Sequence, residues 1–271
     1  MGLRPYQLEG VEFLHQAKRA ILADDPGLGK SATALMAAEG RTLVVSAAIL
    51  EDTWRHEHER WRPDLDLTWT AYSRLFVRGE RGTGTKVAKE ELLGYDTVVF
   101  DEAHELKNRK SYQTIAAQQI VRDAERLYML TGTPLPNYGH EVFMPLKLIY
   151  GPDDPRFSSY WRWADRWFEV RVEKAKRRGG EPHRVVGPLR DLTTWDRFAH
   201  DNGLQGRWLR RLRDEVLTDL PPLTRQTLYT PLVPKQRKAY NEFKEDWFVD
   251  LDGNEVATWD EGGVWLKLLK L

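Results

Sequence analysis

A short stretch near the N-terminus, DDPGLGKS at residues 24–31, has the residue types of a phosphate-binding loop. Its two glycines allow successive backbone N–H groups to point at an anion where a side chain would collide. Lys30 would reach the β- and γ-phosphates of a nucleotide, and the Ser31 hydroxyl would ligate Mg²⁺. Asp24 departs from the usual pattern G-x-x-x-x-G-K-[ST], in which the first residue is glycine. The stretch is therefore read in two ways, as a nucleotide site with one substitution or as a solvated turn that ends in Gly-Lys-Ser.

A second chemical signal is VVFDEAH at residues 98–104, where an apolar run ends in two consecutive carboxylates. In a nucleotide-hydrolysing site, Asp101 at the strand end would hold the Mg²⁺ that also touches Ser31, and Glu102 would polarise the attacking water. Metal, phosphate cradle and water must meet, because phosphoryl transfer depends mostly on positioning and charge neutralisation. The alternative for the two acids alone is a helix N-terminus that begins with carboxylates.

The elements that would position these residues alternate between strand and helix patterns through the first half of the chain. Apolar runs typical of buried strands are RAILA, TLVVS, LTWTAYS, TVVF and LYMLTG. Helical spacing lies between them, in SATALMAAE, ILEDTWRHEHERW and SYQTIAAQQIVRD. This alternation predicts an α/β fold, a parallel sheet flanked by helices, in which ligands bind beyond the carboxyl ends of the strands. Both chemical signals follow such strand ends.

The chain after residue 150 has a different pattern. It is rich in Trp and Arg and contains short amphipathic segments, such as SYWRWADRWFEV, which predict a mainly helical extension. TRQTLYTPL at 224–232 is a strand candidate that would return to the sheet, and the Gly-rich residues 77–86 are predicted to form an exposed loop. We therefore expect a nucleotide-binding core at 1–150 and a basic, mainly helical remainder at 151–271.

Composition excludes several classes of protein. The 271 residues include 41 basic and 41 acidic side chains and no cysteine. Without cysteine there is no disulfide framework, no thiolate metal site and no cysteine nucleophile. No apolar stretch is long enough to span a membrane, and the polar N-terminus lacks the pattern of a signal peptide. We expect a cytoplasmic protein that has no membrane partner.

The charge is unevenly distributed along the chain. Residues 151–218 carry 15 basic and 11 acidic side chains, whereas residues 1–150 carry 19 and 21. The basic residues are densest in RVEKAKRRGGEPHR at 171–184 and in RWLRRLR at 207–213. Such runs are read either as solvated faces or, in a protein with a nucleotide site, as surfaces for nucleic acid.

Six stretches, in order along the chain, resemble motifs of the Swi/Snf-like branch of superfamily 2 helicases, whose members translocate on double-stranded DNA. DEAHELKN and LTGTPLPN are similar to motifs II and III. The other four are LRPYQLEGVEFL before the phosphate loop, DDPGLGKS itself, the motif Ia-like LVVSAAILEDTWRHEHERW, and RRLRDEVLTDLPPLTRQTLYTPLVPKQRKAY, which resembles the end of the first motor lobe. In this branch an acid stands where Asp24 does, so the resemblance favours the nucleotide site. Pro26 and Ser31 replace the more usual Met and Thr, and serine keeps the hydroxyl for magnesium.

The resemblance implies a RecA-like fold, the cofactors ATP and Mg²⁺, double-stranded DNA as a partner, and a role for each matching residue. The implied ATP-binding residues are Gln7, which would read the adenine, and Gly27, Leu28, Gly29, Lys30 and Ser31. The implied catalytic residues are Lys30, Asp101 and Glu102, and the implied metal ligands are Ser31 and Asp101. The residues that would couple the ATP site to DNA are His104, Thr131 and Thr133. Those that would lie along the DNA backbone are Ser46, Ser73, Arg74, Lys107 and Asn108, of which the last two fit a solvated turn equally well.

These features predict the N-terminal ATPase lobe of an ATP-dependent translocase on double-stranded DNA. Motors of this branch have a second RecA-like lobe that supplies an arginine to the ATP site. We expect that second lobe to be missing from this chain, whose last run VWLKLLKL lacks a helix stop signal, and we expect the isolated lobe to be weakly active or inactive. The alternatives are a lobe of an RNA helicase and a DNA-binding module with a regulatory ATP site. The compact lobe, with few long insertions, favours a bacterial or viral origin.

Overall fold

The computed structural model describes most of the first 217 residues and short parts of the remainder. The described residues are 2–78, 86–133, 139–173, 182–190, 195–217, 229–234, 236–238, 240–241, 248–251 and 254–257. The chain divides into two compact units, Met1–Asp219 and Leu220–Leu271. The first unit contains all the residues of the candidate site.

Half of the described strands belong to one parallel sheet. The strands are β1 Arg19–Leu22, β2 Thr42–Ser46, β3 Leu67–Ala71, β4 Phe76–Arg78, β5 Lys86–Ala88, β6 Thr97–Phe100, β7 Arg126–Leu130, β8 Phe168–Glu173, β9 His183–Leu189, β10 Trp208–Leu209, β11 Phe248–Leu251 and β12 Asn254–Ala257. Six of them form the sheet in the order β10–β1–β7–β6–β2–β3, with every neighbouring pair parallel. The pairs β4–β5, β8–β9 and β11–β12 are antiparallel hairpins outside this sheet.

Most of the helices lie in the crossovers that connect the parallel strands, while the first precedes β1 and the eighth follows β10. They are α1 Pro5–Ala17, α2 Lys30–Ala37, α3 Glu51–Trp61, α4 Tyr112–Ile120, α5 Phe143–Tyr150, α6 Tyr160–Trp167, α7 Trp195–Asp201 and α8 Arg213–Val216. Helix α1 begins with proline, whose missing N–H needs no partner there. The hydroxyl of Ser111 caps α4 by accepting from the Thr114 N–H, and that of Ser159 caps α6 by accepting from the Arg162 N–H.

The sheet buries apolar side chains on both faces, because successive residues of a strand point to opposite sides. One face packs against α4 through Ile21, Val98, Phe100, Met129, Ala117 and Ile120. The opposite face packs against α1, α2 and α3 through Leu22, Val99, Leu130, Leu14, Leu35 and Trp54. A third cluster joins α5, α6 and α7 to the β8–β9 hairpin through Phe143, Phe157, Trp163, Phe168 and Phe198. The site is therefore carried by loops at the edge of a well-packed sheet.

The α/β fold with a parallel sheet flanked by helices is confirmed. Strands β2 and β6 have the predicted bounds, 42–46 and 97–100. The helix predicted from residue 49 begins at Glu51, after a 3₁₀ turn over Ala48–Leu50. No helix among the described residues is long and apolar enough to cross a membrane.

Three local predictions differ from the structure. The residues FEV, expected to continue a helix, begin strand β8, because they pair with β9. Strand β10, which was not predicted, returns to the sheet beside β1, while residues 224–228 of the predicted strand 224–232 lie outside the described residues and 229–232 form no strand. The ends of the predicted loop at 77–86 belong to the β4–β5 hairpin, and residues 79–85 lie outside the described part of the chain. The β10 strand was overlooked because its two apolar residues stand inside a run of arginines.

Candidate functional site

Three loops of the candidate site follow neighbouring strands of the sheet. Strand β7 lies between β1 and β6, with Leu22 opposite Leu130 and Phe100 opposite Met129. The three strands therefore end at one edge. The residues that follow them are the phosphate loop after β1, the TGT segment after β7 and the acidic pair after β6. The sheet brings together three motifs that are far apart in the sequence.

The phosphate loop has the backbone conformation that its glycines allow. Gly27 and Gly29 have φ angles of +85° and +76°, which residues with a Cβ rarely adopt. Helix α2 begins directly after the loop, so its first N–H groups are available to an anion there. The Lys30 ammonium donates to the Asp24 carbonyl at 2.8 Å. Burial lowers the pKa of Lys30, and nearby carboxylates, Glu102 first among them, act in the opposite direction.

Gln7 contacts the phosphate loop from helix α1. Its side-chain amide donates to the Leu28 carbonyl at 3.2 Å and accepts from the Arg4 N–H at 2.8 Å. A Cβ placed on Gly29 would collide with the Gln7 amide nitrogen, so this close approach requires glycine. Leu28 is buried, and Ser31 lies half-buried in the first turn of α2. The residues predicted to bind ATP therefore form one contiguous group.

Asp24 is the partner in a buried ion pair. Asp24 is 1% exposed. Its carboxylate accepts hydrogen bonds from the Arg211 backbone N–H at 3.0 Å and from the Arg211 guanidinium at 3.1 and 2.5 Å. Asp25 pairs with Arg210 at 3.2 Å. Residues 207–213, for which the sequence leaves open a solvated face or a nucleic-acid surface, lie along β1 and the phosphate loop instead. Arg211 is buried there and its charge is paired inside the fold, whereas Arg210 and Arg213 are exposed.

Asp101 directly follows β6 in a half-buried, hydrogen-bonded position. Trp54 Nε1 donates to its Oδ2 at 3.0 Å, and the Glu102 N–H donates to its Oδ1 at 3.0 Å. The Tyr72 hydroxyl donates to its carbonyl at 2.8 Å. Burial raises the pKa of Asp101, the Trp54 hydrogen bond opposes the rise, and the negative charge of Glu102 adds to it. A carboxylate whose charged form is destabilised in this way favours a cation beside it.

Glu102 begins a chain of polar contacts that runs to the TGT segment. Its backbone has φ +50° and ψ +51°, a left-handed conformation that is uncommon for a residue with a Cβ. Its carboxylate lies 3.2 Å from His104 Nδ1, and the Thr133 hydroxyl lies 3.4 Å from the same nitrogen. The Thr133 N–H donates to Thr131 Oγ1 at 3.1 Å. The predicted coupling residues therefore form one connected set with Glu102.

The TGT segment also approaches the phosphate loop. A Cβ placed on Gly132 would lie 2.9 Å from Pro26 Cγ and 3.7 Å from Lys30 Nζ. Residues 134–137 of the motif LTGTPLPN lie outside the described residues. Its described part is thus within contact distance of the lysine that would meet the phosphates.

The residues predicted to follow a DNA backbone are placed less uniformly. Ser46 is fully buried, and its hydroxyl accepts from Trp69 Nε1 of the neighbouring strand at 2.8 Å. A DNA phosphate cannot reach this hydroxyl, which corrects the prediction for Ser46. Ser73 and Arg74 are exposed, and the Arg74 guanidinium lies 5.4 Å above the Trp69 ring. These two residues are placed where a polyanion can contact them.

The turn after the acidic pair carries the last two predicted DNA contacts. Lys107 forms an ion pair with Glu141 at 3.4 Å. Asn108 is exposed, and its side-chain oxygen accepts from the Lys110 N–H at 3.1 Å. Both contacts stabilise the turn, so the solvated-turn reading and the DNA reading of these residues stay open.

The other basic stretch, 171–184, belongs to the β8–β9 hairpin. Arg171 and Arg184 stand on its two strands with side chains 73% and 52% exposed. The Arg184 guanidinium also lies 5.5 Å above the Trp161 ring. Residues 174–181 lie outside the described residues. The described arginines of this hairpin therefore face solvent.

The donor set at the edge of the sheet fits magnesium. Among the described residues, no group of three or more His, Asp or Glu side chains is arranged to hold a metal ion. In phosphate-transfer sites Mg²⁺ takes one or two protein oxygens, while phosphate and water oxygens complete its octahedron. The half-buried Asp101 carboxylate and the Ser31 hydroxyl are oxygen donors of this kind, directly after β6 and at the start of α2.

Sequence reasoning missed two residues that hold the site. Arg211 pairs with Asp24, and Trp54 binds the Asp101 carboxylate. The signal for Arg211 was Asp24 itself, because an acid between a buried strand and a glycine-rich loop needs a cationic partner when it is buried. No sequence signal singled out Trp54 among the eleven tryptophans.

Comparison with known proteins identifies relatives that are much longer than this chain. The chain is 28% identical over 270 residues to the DNA annealing helicase and endonuclease ZRANB3 of Bos taurus, an alignment that covers 90% of this chain and 24% of the relative. It is 26% identical over 289 residues to the ISWI chromatin-remodeling complex ATPase ISW1 of Saccharomyces cerevisiae, covering 92% of this chain and 23% of the relative. The chain thus spans about a quarter of the length of these relatives.

A solved structure and a family model agree with these relatives. The fold is similar to that of the Sulfolobus solfataricus SWI2/SNF2 ATPase core in complex with double-stranded DNA, with a TM-score of 0.58 and 19% identity, covering 100% of this chain and 57% of that chain. A family model described as SNF2-related domain matches residues 68–263, more than half of the chain. The match begins after the phosphate loop and includes the acidic pair and the TGT segment. The chain therefore belongs to the SNF2-related domain family.

Proposed function

We propose that this chain is the N-terminal ATPase lobe of an ATP-dependent translocase on double-stranded DNA. The observation that carries the proposal is the convergence of the phosphate loop, the acidic pair and the TGT segment at the ends of three adjacent strands. Membership of the SNF2-related domain family supports the same reading. The similarity of the fold to a Sulfolobus solfataricus ATPase core that is in complex with double-stranded DNA supports the choice of partner.

In this proposal the nucleotide is bound by two neighbouring elements. Helix α1 offers the Gln7 amide to the adenine, and the phosphate loop offers backbone N–H groups and the Lys30 ammonium to the β- and γ-phosphates. Ser31 and Asp101 would hold Mg²⁺, which neutralises phosphate charge when bound. Both ends of the nucleotide would therefore depend on the relative placement of α1 and the loop.

Glu102 is proposed to orient the attacking water. Glu102 is the second residue after β6 and has a left-handed backbone, and strained backbone of this kind is concentrated at functional sites. The contact with His104, and the contact of His104 with Thr133, would link the water-orienting carboxylate to a segment outside the phosphate cradle. This link is the proposed route by which DNA contact affects hydrolysis.

A complete catalytic site in this proposal needs an arginine from a second lobe. Such a residue neutralises charge on the γ-phosphate and contributes about 10³–10⁵ in rate. Two arginines near the motifs are engaged elsewhere, since Arg109 lies 4.3 Å above the Tyr160 ring and Arg126 pairs with Glu39 and Glu125 at the start of β7. We expect the 271-residue chain alone to bind nucleotide weakly and to hydrolyse it close to background.

ATP turnover separates this proposal from its alternatives. Turnover is measured for the 271-residue chain, and for the same chain extended by a second RecA-like lobe, with no nucleic acid, with duplex DNA and with duplex RNA. The proposal expects hydrolysis by the extended protein that duplex DNA stimulates most. Stimulation by RNA alone would favour an RNA helicase lobe, and ATP binding without turnover under every condition would favour a DNA-binding module with a regulatory site. Robust DNA-stimulated turnover by the short chain would contradict the need for a second lobe.

A cytoplasmic location and a bacterial or viral origin stay predictions. The relatives compared above come from cattle and yeast, and the solved structure comes from Sulfolobus solfataricus. Sequence identities of 26–28% to these relatives leave the source of the chain open.

A further inference from the structure

The ion pair between Asp24 and Arg211 joins the phosphate loop to the segment after β10. The Asp24 and Arg211 side chains are 2% and 10% exposed. Exposed ion pairs add little stability, but removal of one partner from a buried pair is strongly destabilising, because the other charge is left without compensation. The pair is therefore a strong constraint on where the first residue of the loop lies.

Arg211 also reaches helix α1. Its Nη1 donates to the carbonyl of Tyr6, the residue before Gln7, and its guanidinium lies 5.3 Å from the centre of the Tyr6 ring. A Cβ placed on Gly10 would lie 2.9 Å from Arg211 Nη2 and 2.9 Å from Thr33 Cγ2, so the helix approaches this closely only because residue 10 is glycine. One guanidinium thus contacts both elements that would hold the nucleotide.

The segment that carries Arg211 is itself fixed against β1 and the loop. The Ala23 N–H donates to the Leu209 carbonyl at 2.7 Å, and the Asp25 N–H donates to the Arg211 carbonyl at 3.1 Å. The Arg213 N–H donates to the Asp25 carboxylate at 3.2 Å. The Arg211 side chain is therefore attached to a backbone segment that is hydrogen-bonded to β1 and to the phosphate loop.

From these contacts we infer that Arg211 is a positioning residue for the nucleotide site, which holds the Gln7 end of helix α1 and the phosphate loop in one relative placement. The inference rests on the proposed function for the identity of the ligand. The nitrogens of the guanidinium donate to Asp24 and to the Tyr6 carbonyl, so Arg211 acts through these partners and not on the nucleotide. Loss of Arg211 should weaken phosphate binding and adenine recognition together.

Hydrogen exchange tests the placement without any nucleotide. The variants are Arg211→Gln, Asp24→Asn, the conservative Arg211→Lys, and the control Arg207→Gln. Arg207 is a matched control because it stands at the other end of the same segment and donates to the backbone carbonyls of Ala17 and Arg19. We expect faster exchange in both segments 5–10 and 24–31 for the first two variants, an intermediate effect for the lysine, and no change in either segment for the control.

Nucleotide affinity tests the consequence for binding. Dissociation constants for Mg·ATP and Mg·GTP are measured on the folded fraction of each variant. We expect Arg211→Gln to weaken Mg·ATP roughly 3- to 30-fold, the range for residues that act through a network, and to narrow the preference for ATP over GTP. The double variant Asp24→Asn/Arg211→Gln should bind Mg·ATP at least as tightly as the single variant with the lower affinity. The reason is that the double variant leaves no uncompensated buried charge.

Several outcomes would overturn the inference. If Arg211→Gln raises hydrogen exchange in segment 24–31 alone, Arg211 is only a local partner of Asp24. If Arg207→Gln raises exchange in segments 5–10 and 24–31 equally, the change reflects a loss of general stability. An unchanged ATP affinity in a folded Arg211→Gln protein would remove the link to binding. If the unaltered chain binds neither nucleotide while exchange in the two segments rises together, the proposed function fails and the placement role of Arg211 stands.

Discussion

The β8–β9 hairpin and the segment 207–213 are both rich in arginine, but Arg211 of the segment has surroundings opposite to those of Arg171 and Arg184 on the hairpin. On the hairpin the side chains of Arg171 and Arg184 are 73% and 52% exposed, whereas that of Arg211 is 10% exposed. Exposed charges act over about 10 Å and are screened by salt, while a buried charge acts through the geometry of its partners. The hairpin arginines can therefore attract a polyanion, whereas Arg211 can only set the position of its neighbours.

This difference divides the basic residues into two kinds with separate tests. Substitutions on the hairpin should change a salt-dependent affinity for DNA and leave the nucleotide site alone. Substitutions of Arg211 or of the phosphate loop that it contacts should change nucleotide binding, with little dependence on salt. A variant that affects both properties equally would break the comparison.

The largest effect on nucleotide binding is expected at Lys30 of the phosphate loop, which contacts the segment 207–213. Lys30→Ala should abolish detectable Mg·ATP binding and leave the fold intact, because Lys30 is the cation proposed to meet the phosphates and its side chain is only partly buried. Calorimetry with Mg·ATP measures the binding, and circular dichroism measures the fold. Lys18→Ala is the control, since Lys18 pairs with Glu125 on the surface. Unchanged affinity in the Lys30 variant would remove the phosphate-cradle hypothesis.

The next effect is expected at Glu102, in the extended protein with a second lobe. Glu102→Gln keeps the shape of the side chain but removes the charge that orients water, so turnover should fall by about 10²-fold or more while nucleotide binding survives. Single-turnover kinetics and a binding titration separate the two quantities. Glu105→Gln serves as a control on the same turn, because Glu105 is exposed and its carboxylate comes no closer than 4.0 Å to His104 Nε2. Equal losses of binding and turnover would make Glu102 structural.

A smaller effect is expected on the exposed side of the comparison. If about four phosphates are neutralised on binding, the logarithm of the duplex DNA affinity should fall with the logarithm of salt concentration at a slope of roughly −3.6. Replacing both Arg171 and Arg184 with Gln should reduce that slope by about 1.8 if each meets one phosphate. Fluorescence anisotropy on duplexes of unrelated sequence measures it. An unchanged slope would contradict the hairpin's role, as would a similar change in Arg207→Gln.

The smallest effect is expected on stability, at Asp101. Burial raises its pKa in the folded chain above the ordinary value of 3.8, so folding favours the protonated acid. Its contribution to stability is complete below the unfolded pKa and is lost as pH rises through the folded pKa. At neutral pH, Asp101→Asn should therefore raise the melting temperature by about 2–4 °C.

The pH dependence provides the control for this stability effect. The gain from Asp101→Asn should disappear as pH falls below 3.8, where the native acid is protonated in both states. Asp64→Asn should give no gain at neutral pH, because the hydrogen bond from Arg62 lowers the pKa of Asp64. Thermal unfolding of both variants across the pH range checks the sign. Destabilisation by Asp101→Asn at neutral pH would mean that the hydrogen bond from Trp54 outweighs burial.

The ATP edge of the site was predictable because its signals are local in sequence. Gly27 and Gly29 stand directly before a helix, and Asp101 stands directly after a buried strand, so each segment reveals its own place at a strand end. The same local reasoning placed the strands β1, β2, β3, β6 and β7 within a few residues. It could not find β10, whose Trp208 and Leu209 form a strand only because β1 is beside them.

Contacts between distant segments were not predictable from local patterns. The residues Asp24 and Arg211 are 187 positions apart, and neither flanking sequence specifies the other. Ser46 is at the predicted strand end, but its burial depends on Trp69 of the neighbouring strand, which closes over its hydroxyl. In both cases the tertiary neighbour, and not the residue's own segment, decides the role.

The late position of β10 in the chain has a consequence for biosynthesis. At about 5–20 residues per second, a ribosome would take roughly 10–40 s to travel from Asp24 to Arg211. Throughout that interval the outer edge of β1 lacks its parallel neighbour and the acid lacks its cation. An open strand edge is a template for pairing with other chains. The nascent protein is therefore expected to need protection by chaperones until the arginine-rich segment has left the exit tunnel.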